Sequence, residues 1–332
     1  MDDHTAPDAK PSPFNDGEVA MQTRAGVRER AEQLGQVMIR DHLLDHHREF
    51  FPMLPSILVS ALDADGQVWA SMLAGAPGFV TTLDDIHLRI DALPDDDDPL
   101  RAGIVVGAPF GLLGLQAHTR RRNRMNGEIT AVDGEGFTVA ARQSFGNCPK
   151  YIQAREAQWL GPRARDRSRN QCGGAVLDGA ARACIHGADT LFVASRSRDS
   201  RAARAAGAGL DVSHRGGKPG FVRIDDGDTH SVLVIPDFIG NNLFNTLGNL
   251  LQHPACALLF VDFENGGMLH LAGDGELDFD SADVARFKGA QRLWRFHVRE
   301  AVWRPGVLPL SWSAAQMAPQ LDGLGEWPDS TP

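Results

Sequence analysis

Gly240, Asn241 and Asn242 open a segment in which Leu243, Leu247, Leu250 and Leu251 repeat at helical spacing as far as Gln252, with Pro254 just beyond. A helix starting there would leave unpaired backbone N–H groups beside two amide side chains, at the end where the helix dipole is positive. Such a corner holds anions, a phosphate above all. Far upstream, Arg120, Arg122 and Arg124 would share one face of a strand, with Arg121 and Asn123 on the other. Three adjacent guanidinium groups repel one another unless an anion lies between them, although such a face also serves to keep an exposed strand soluble. Cys148, close to Lys150, would be a nucleophile if a cation lowered its pKa, and a packed side chain otherwise. His42 and His46 stand four apart beside His47, a spacing seen in metal sites, but no acidic partner falls on a matching face and no metal site is expected.

These residues sit among short apolar runs of β type. Residues 221–224, 232–235 and 257–263 are predicted strands, and residues 241–252 the helix between the second and third. Upstream, residues 57–62 and 68–73 form a hairpin that turns at 63–66, followed by strands around Phe79 and Leu88. From Asp16 the pattern is an amphipathic helix, with Val27, Ala31, Leu34 and Met38 on its buried face. Short helices are expected over residues 177–186 and 282–289, and residues 292–305 form a strand carrying Trp294 and Trp303.

Part of this pattern occurs twice. Ala76, Pro77, Gly78, Phe79 and Val80 match Lys218, Pro219, Gly220, Phe221 and Val222, and Gly127 matches Gly273 before an acidic, apolar strand. Two copies of one β module follow, the second longer between these landmarks, where its asparagine-rich helix lies. Residues 1–15 are then a disordered tail, 16–160 an N-terminal helix with a degenerate first copy, 161–185 a basic linker and short helix, 186–316 the second copy and 317–332 a disordered tail. An insert at residues 201–209 lengthens a hairpin loop of the second copy. Where the second copy has asparagines, the first has Asp95, Asp96, Asp97 and Asp98. Those carboxylates would repel a phosphate dianion, so a solvated loop capping a helix near Pro99 is expected there, and only the second copy should hold phosphate.

Composition removes several function classes. A net charge of −10 leaves no general basic face for nucleic acid. No apolar run approaches the roughly 20 residues a membrane helix needs. The polar, acidic N-terminus is not of secretory type. Cys148, Cys172, Cys184 and Cys256 show no C-x-x-C spacing, which fits a reducing cytoplasm. An excess of arginine over lysine and abundant alanine suggest a GC-rich bacterial genome.

The pattern S-H-R-G-G-x-P-G-F-V from Ser213, V-x-P-D-F-x-G-N-N from Val234 and N-T-L-G-N-L-L-x-x-P from Asn245 resembles the FMN-binding split barrel of the pyridoxamine 5′-phosphate oxidase-like superfamily. The resemblance is dense over residues 190–280 and weaker upstream. It implies a mainly β chain with short helices, in which two FMN-binding split β-barrels in tandem form an intramolecular pseudo-dimer. It further implies FMN held without a covalent bond at the interface, its phosphate near the strand-to-helix turn.

By that resemblance Asn241, Asn242 and Thr246 would hold the phosphate, helped by Arg215, Lys218 or Arg223. Ser213 and His214, with Val234, Pro236 and Asp237 on the next strand, would bind the pyrimidine end of the ring, and Arg122 and Arg124 could reach its far edge from the first copy. Trp294 and Trp303 would wall the ring or serve the core. The implied activity is two-electron hydride transfer on a small-molecule substrate, needing no catalytic acid or base, with NADH, NADPH or a separate reductase as donor. A homodimer of the pseudo-dimer is also expected. Two alternatives remain: a flavin-binding or electron-transfer module without turnover, and a haem protein with His214 as axial ligand. Residues 295–300 match only faintly the arginine and histidine set of true pyridoxamine-phosphate oxidases, so that reaction is not expected.

Overall fold

A computed structural model describes residues 11–162, 168, 170–198 and 209–328. The chain is mainly β and its strands pair antiparallel throughout. β1 (Ser56–Leu62), β2 (Val68–Ala74), β3 (Val80–Thr82), β4 (His87–Ile90), β5 (Pro109–Gln116), β6 (Arg121–Val132) and β7 (Phe137–Gly146) form one sheet in the order β2-β1-β5-β6-β7-β4-β3. After β8 (Ala157–Trp159) and β9 (Gln171–Gly173), a second sheet is built from β10 (Thr190–Arg196), β11 (Leu210–Gly216), β12 (Arg223–Asp226), β13 (Ser231–Asp237), β14 (Ala255–Asp262), β15 (Gly267–Asp278) and β16 (Arg292–Arg304). Its order is β11-β10-β14-β15-β16-β13-β12, with β9 added on β16, and β17 (Leu310–Trp312) pairs with β8. Numbered within each half, the main strands follow one order.

The sheets face each other, and their facing strands are apolar on both sides because both sides are covered. In β10, Leu191 and Val193 feed the core of the second half, while Phe192 and Ala194 point into a core shared with the first. In β1, Ile57 and Val59 enter the first core, and Leu58 and Leu62 enter the shared one. At about 1.5–3 kcal/mol for each such side chain fully buried, the shared core is a main source of adhesion between halves.

The recurring glycines mark common backbone features. Each sheet has a register shift at the same place, beside Gly127 and beside Gly273. A Cβ there would lie 2.0 Å from the Ala140 carbonyl oxygen or 2.2 Å from that of His297. Gly78 and Gly220 both take positive φ, 97° and 83°, at the turn before the recurring Phe-Val.

Among the described residues six α-helices accompany the sheets: α1 (Asp16–Arg24), α2 (Arg28–Met38), α3 (Asp45–Arg48), α4 (Gly179–Gly187), α5 (Asn245–Gln252) and α6 (Ala282–Arg286). Among the described residues none is long and apolar enough to cross a membrane. The N-terminal amphipathic helix is in fact two, broken at Gly26 (φ 68°), and Leu34 and Met38 are exposed. Of the expected tail after Met317, residues 318–328 are packed and 329–332 lie outside the described residues: Pro319–Gly323 is a 3-10 turn and the buried Trp327 donates from Nε1 to the Phe221 carbonyl at 2.9 Å. Residues 1–10 of the expected N-terminal tail, 163–167 and 169 of the linker and 201–208 of the insert lie outside the described residues.

The four aspartates do not form a solvated loop. The fully buried Arg304 of β16 crosses into the first half and donates to Asp98 at 2.7 Å, Asp95 at 2.7 Å and Asp97 at 2.8 Å. Ser71 of β2 donates to Asp98 at 2.6 Å. A guanidinium buried this deeply requires carboxylates around it, and residues 95–98 supply them. The segment continues into a 3-10 turn, Arg101–Gly103, and no α-helix begins near Pro99.

Candidate functional site

A cavity of about 320 Å³ opens where the two halves meet. From the first half come Arg122 and Arg124 of β6 and the segment Asn147, Cys148, Lys150 and Tyr151 that follows β7. The second half contributes Ser213, His214 and Arg215 of β11, Pro236 and Asp237 at the end of β13, and the turn that carries Asn241 and Asn242 into α5. Phe238, Phe244 and Leu247 add apolar wall, so the cavity has cationic and apolar parts.

Five atoms of these lining residues are buried donors or hydroxyls without a hydrogen-bond partner: Arg122 Nε, Arg124 Nε, Arg215 Nε, Asn147 Nδ2 and Thr246 Oγ1. Leaving a buried polar atom unpaired costs about 1–3 kcal/mol, and these five belong to residues that line one cavity. Arg124 is paired with Asp211 at 3.0 Å and also donates to Ser213. Arg215 and Arg292 share Asp237, at 2.8 and 3.1 Å. The Arg122 side chain has no ion-pair or hydrogen-bond partner among the described residues, and burial, with Arg124 next to it, pushes its pKa down to about 9. His214, buried beside Phe192, is held neutral: burial first, then Arg122 and Arg215, take its pKa well below the ordinary value.

The corner next to α5 is tighter than the sequence suggested. Asn242 and Phe244 both have φ of 62°, and α5 begins after Phe244, not at Asn241. A left-handed phenylalanine costs about 1–2 kcal/mol; Arg292 lies over its ring at 5.1 Å. Asn241 is already engaged, donating to Asn147 Oδ1 at 3.2 Å and accepting from Leu243 N at 3.1 Å. Thr246, in the first turn of α5, is the residue of this corner left with a free hydroxyl.

Behind the corner, α1 buttresses α5. Gly17 packs so closely that a Cβ on it would lie 2.0 Å from the Gly248 carbonyl oxygen. Asn15 caps α1 in a reciprocal capping box with Glu18, at 3.0 and 2.8 Å. Glu18 also accepts from Asn245, and Asp211 accepts from Asn249 at 2.9 Å and Asn126 at 2.7 Å. Burial, then repulsion from Asp211, raises the Glu18 pKa to about 8.

The structure thus gathers Arg122, Arg124, Ser213, His214, Arg215, Pro236, Asp237, Asn241, Asn242 and Thr246 around one cavity. It does not bring Lys218, Arg223 or Val234 there. Lys218 pairs with Glu326 at 3.2 Å. Arg223 is held by Asp225 and Asp283, at 2.7 and 2.8 Å, under Trp327. Val234 is a core residue between β12 and β16. Arg120 also turns away, because its left-handed backbone precedes β6 and its side chain donates to the Ile152 carbonyl. Trp294 and Trp303 pack in and against the second core and line no part of the cavity. Among the described residues no cluster of three metal-ligating side chains occurs. Sequence reading missed Asn147, Tyr151 and Arg292, and also Glu18, although its N-x-x-E capping signal was present.

Counted from the bulge, the same ladder position is Arg122 beside Asn147 in the first sheet and Met268 beside Arg304 in the second. Ser213 of β11 likewise corresponds to Ser71 of β2. The matching place on the other side of the molecule is therefore occupied by Arg304 and its aspartates, with Ser71 bonded to Asp98.

No family model matches this sequence, and no curated protein does. Among solved structures, HupZ of Group A Streptococcus aligns at 12% identity over 38% of this chain and 92% of its own, with a TM-score of 0.29. HutZ of Vibrio cholerae, described as a heme storage protein, aligns at 11% identity over 40% and 96%, TM-score 0.25. A Lactobacillus delbrueckii protein described as a candidate pyridoxamine 5′-phosphate oxidase aligns at 19% identity over 32% and 95%, TM-score 0.24. Likeness at this level carries no functional argument.

Proposed function

We propose that this chain is a cytoplasmic FMN-binding flavoprotein of the split-barrel type, a tandem duplication whose two halves enclose one cofactor cavity. The observation that carries the reading is the set of unpartnered donors in that cavity, with Arg122 as its uncompensated cation. A phosphate dianion would satisfy them: charge-assisted bonds from Arg122 and Arg215, with Thr246 and Asn147 filling its remaining acceptor sites. Support for duplication comes from the common strand order, the paired bulges and the recurring turn glycines.

The remaining wall suits a flat, partly polar ring. Tyr151 and Phe238, with centroids 5.3 Å apart, supply apolar surface, and Ser213, His214 and the Pro236–Asp237 edge supply polar contacts. Bound FMN would supply two-electron hydride chemistry to a small-molecule substrate, with a nicotinamide cofactor or a separate reductase as donor. Arg124, fixed by Asp211, would hold positive charge beside the ring. His214 stays neutral and donates no charge of its own.

A flavin module without turnover would use the same cavity. A haem reading would rest on the neutral His214 imidazole, but several arginines and a volume near the bottom of the roughly 300–1,000 Å³ range of small-molecule sites favour FMN. Titrating the cofactor-free chain with FMN, riboflavin and haem tests the choice. FMN should bind, riboflavin should bind more weakly by about 10²-fold for want of the phosphate, and equal affinity for both flavins would remove the proposed role of Arg122.

A further inference from the structure

His214 lines two cavities. One face borders the cationic cavity, and the other borders a second chamber of about 110 Å³ that shares no other residue with the first. The chamber lies where the first hairpins of the two halves meet. Leu58 and Met72 are register partners on one side, Phe192 and His214 on the other. The two pairs hold the same ladder positions in their sheets, so the halves differ here by a methionine facing a histidine. Leu58 likewise matches Phe192 in position, and among the described residues His214 is the one that lines both cavities.

Its walls define what it can hold. Met72 and Leu58 are buried thioether and aliphatic surface, Phe192 meets the His214 ring edge-on at 5.8 Å, and Phe263 and Trp312 form an edge-on pair at 5.3 Å. The cation nearest these rings, Arg155, is neutralised by Asp189 and stacked on Phe263 at 4.4 Å. Ser56, Gln116, His118, Gln153 and Thr190 add polar lining and Glu156 stands exposed at the rim, so the chamber offers a few polar contacts beside its aromatic and thioether surface. An engineered apolar cavity of about 150 Å³ takes benzene, and thioethers favour aromatic edges.

We propose that this chamber is a second ligand site, taking a small uncharged aromatic molecule, with His214 as the shared wall that couples it to the cationic cavity. The site stands apart from the flavin reading, since it needs no anion and no cofactor.

Fluorobenzene is a suitable probe. In the full chain labelled with ¹³C-methyl methionine, the Met72 methyl resonance should shift saturably on titration, and ¹⁹F broadening of the probe should follow the same curve. Filling the chamber by Leu115→Trp should abolish both signals, and Met72→Trp, which removes the reporter methyl, should abolish the ¹⁹F broadening, while circular dichroism reports a folded chain. No saturable shift at Met72 in the wild type would overturn the proposal, as would binding that survives both variants. Repeating the titration with FMN present should change the affinity of each ligand for the chain by the same factor, and equal affinities with and without FMN would refute the coupling through His214. Should FMN fail to bind while fluorobenzene still does, only the flavin reading falls.

Discussion

Arg304 of β16 and Asp98 of the first half lie 2.7 Å apart, both buried, in a cluster that also takes in Asp95 and Asp97. Three of the four carboxylates that would have repelled a phosphate instead hold a guanidinium from the opposite half, while Asp96 stays exposed beside Arg101. One side of the molecule therefore carries its own cation, and the other presents Arg122 without an anion, its neighbours Arg124 and Arg215 being paired with Asp211 and Asp237.

Removing that cation should be costly. Arg304→Met leaves Asp98 and its neighbours buried and unpaired, and a loss of about 3–5 kcal/mol is expected. Urea unfolding of the variant checks it. A change under about 1 kcal/mol would place the cluster among screened surface pairs.

Arg122 should behave in the opposite sense. Its depressed pKa, about 9, means that the unfolded chain binds the extra proton more tightly. Below pH 9 the penalty is constant and fully present; it is relieved as pH rises above 9 toward the ordinary arginine range. At pH 7 Arg122→Gln should therefore raise the melting temperature of the ligand-free chain while weakening FMN by about 10–100-fold, the worth of a charge-assisted hydrogen bond. Calorimetry and fluorescence titration read the two effects separately.

Glu18 sets a second pH dependence. Its carboxyl takes up a proton on folding, because its folded pKa of about 8 lies above the ordinary 4.5. Its stabilising contribution is complete below pH 4.5, fades as pH rises through 8 and is flat above. Glu18→Gln, a mimic of the protonated form, should match the wild type near pH 5 and exceed it in melting temperature at pH 9. A wild type that loses no more stability than the variant between those pH values would refute the raised pKa.

Gly17→Ala tests whether α1 positions the ligand corner. The added methyl group meets the Gly248 carbonyl at 2.0 Å, so α1 and α5 must separate, at about 1–3 kcal/mol. FMN affinity should fall with stability, because Thr246 moves with α5. Unchanged affinity in a destabilised variant would show that α1 supports the fold alone.

Much of this was legible in the residues. The apolar runs of β13 and β14 and the leucine spacing of α5 placed the second half, because local periodicity is fixed by burial on known faces. The first residues of α5 were misplaced because the left-handed Asn242 and Phe244 leave no periodic trace. Lys218 looked available because its partner Glu326 is distant in sequence; for Arg223 the distant Asp283 was hidden, but Asp225 lay only two residues away. The same blindness hid Arg304: pairing over two hundred positions away is set by tertiary packing, and nothing local to residues 95–98 announces it.

The most direct measurement is a count. Denaturing the purified protein, identifying the released chromophore by mass and dividing by chain concentration should give one FMN per chain, falling when Arg122 or Thr246 is replaced. Two per chain would contradict the closure of the opposite side by Arg304, and haem or no chromophore at all, with no FMN taken up on titration, would contradict the cofactor assignment.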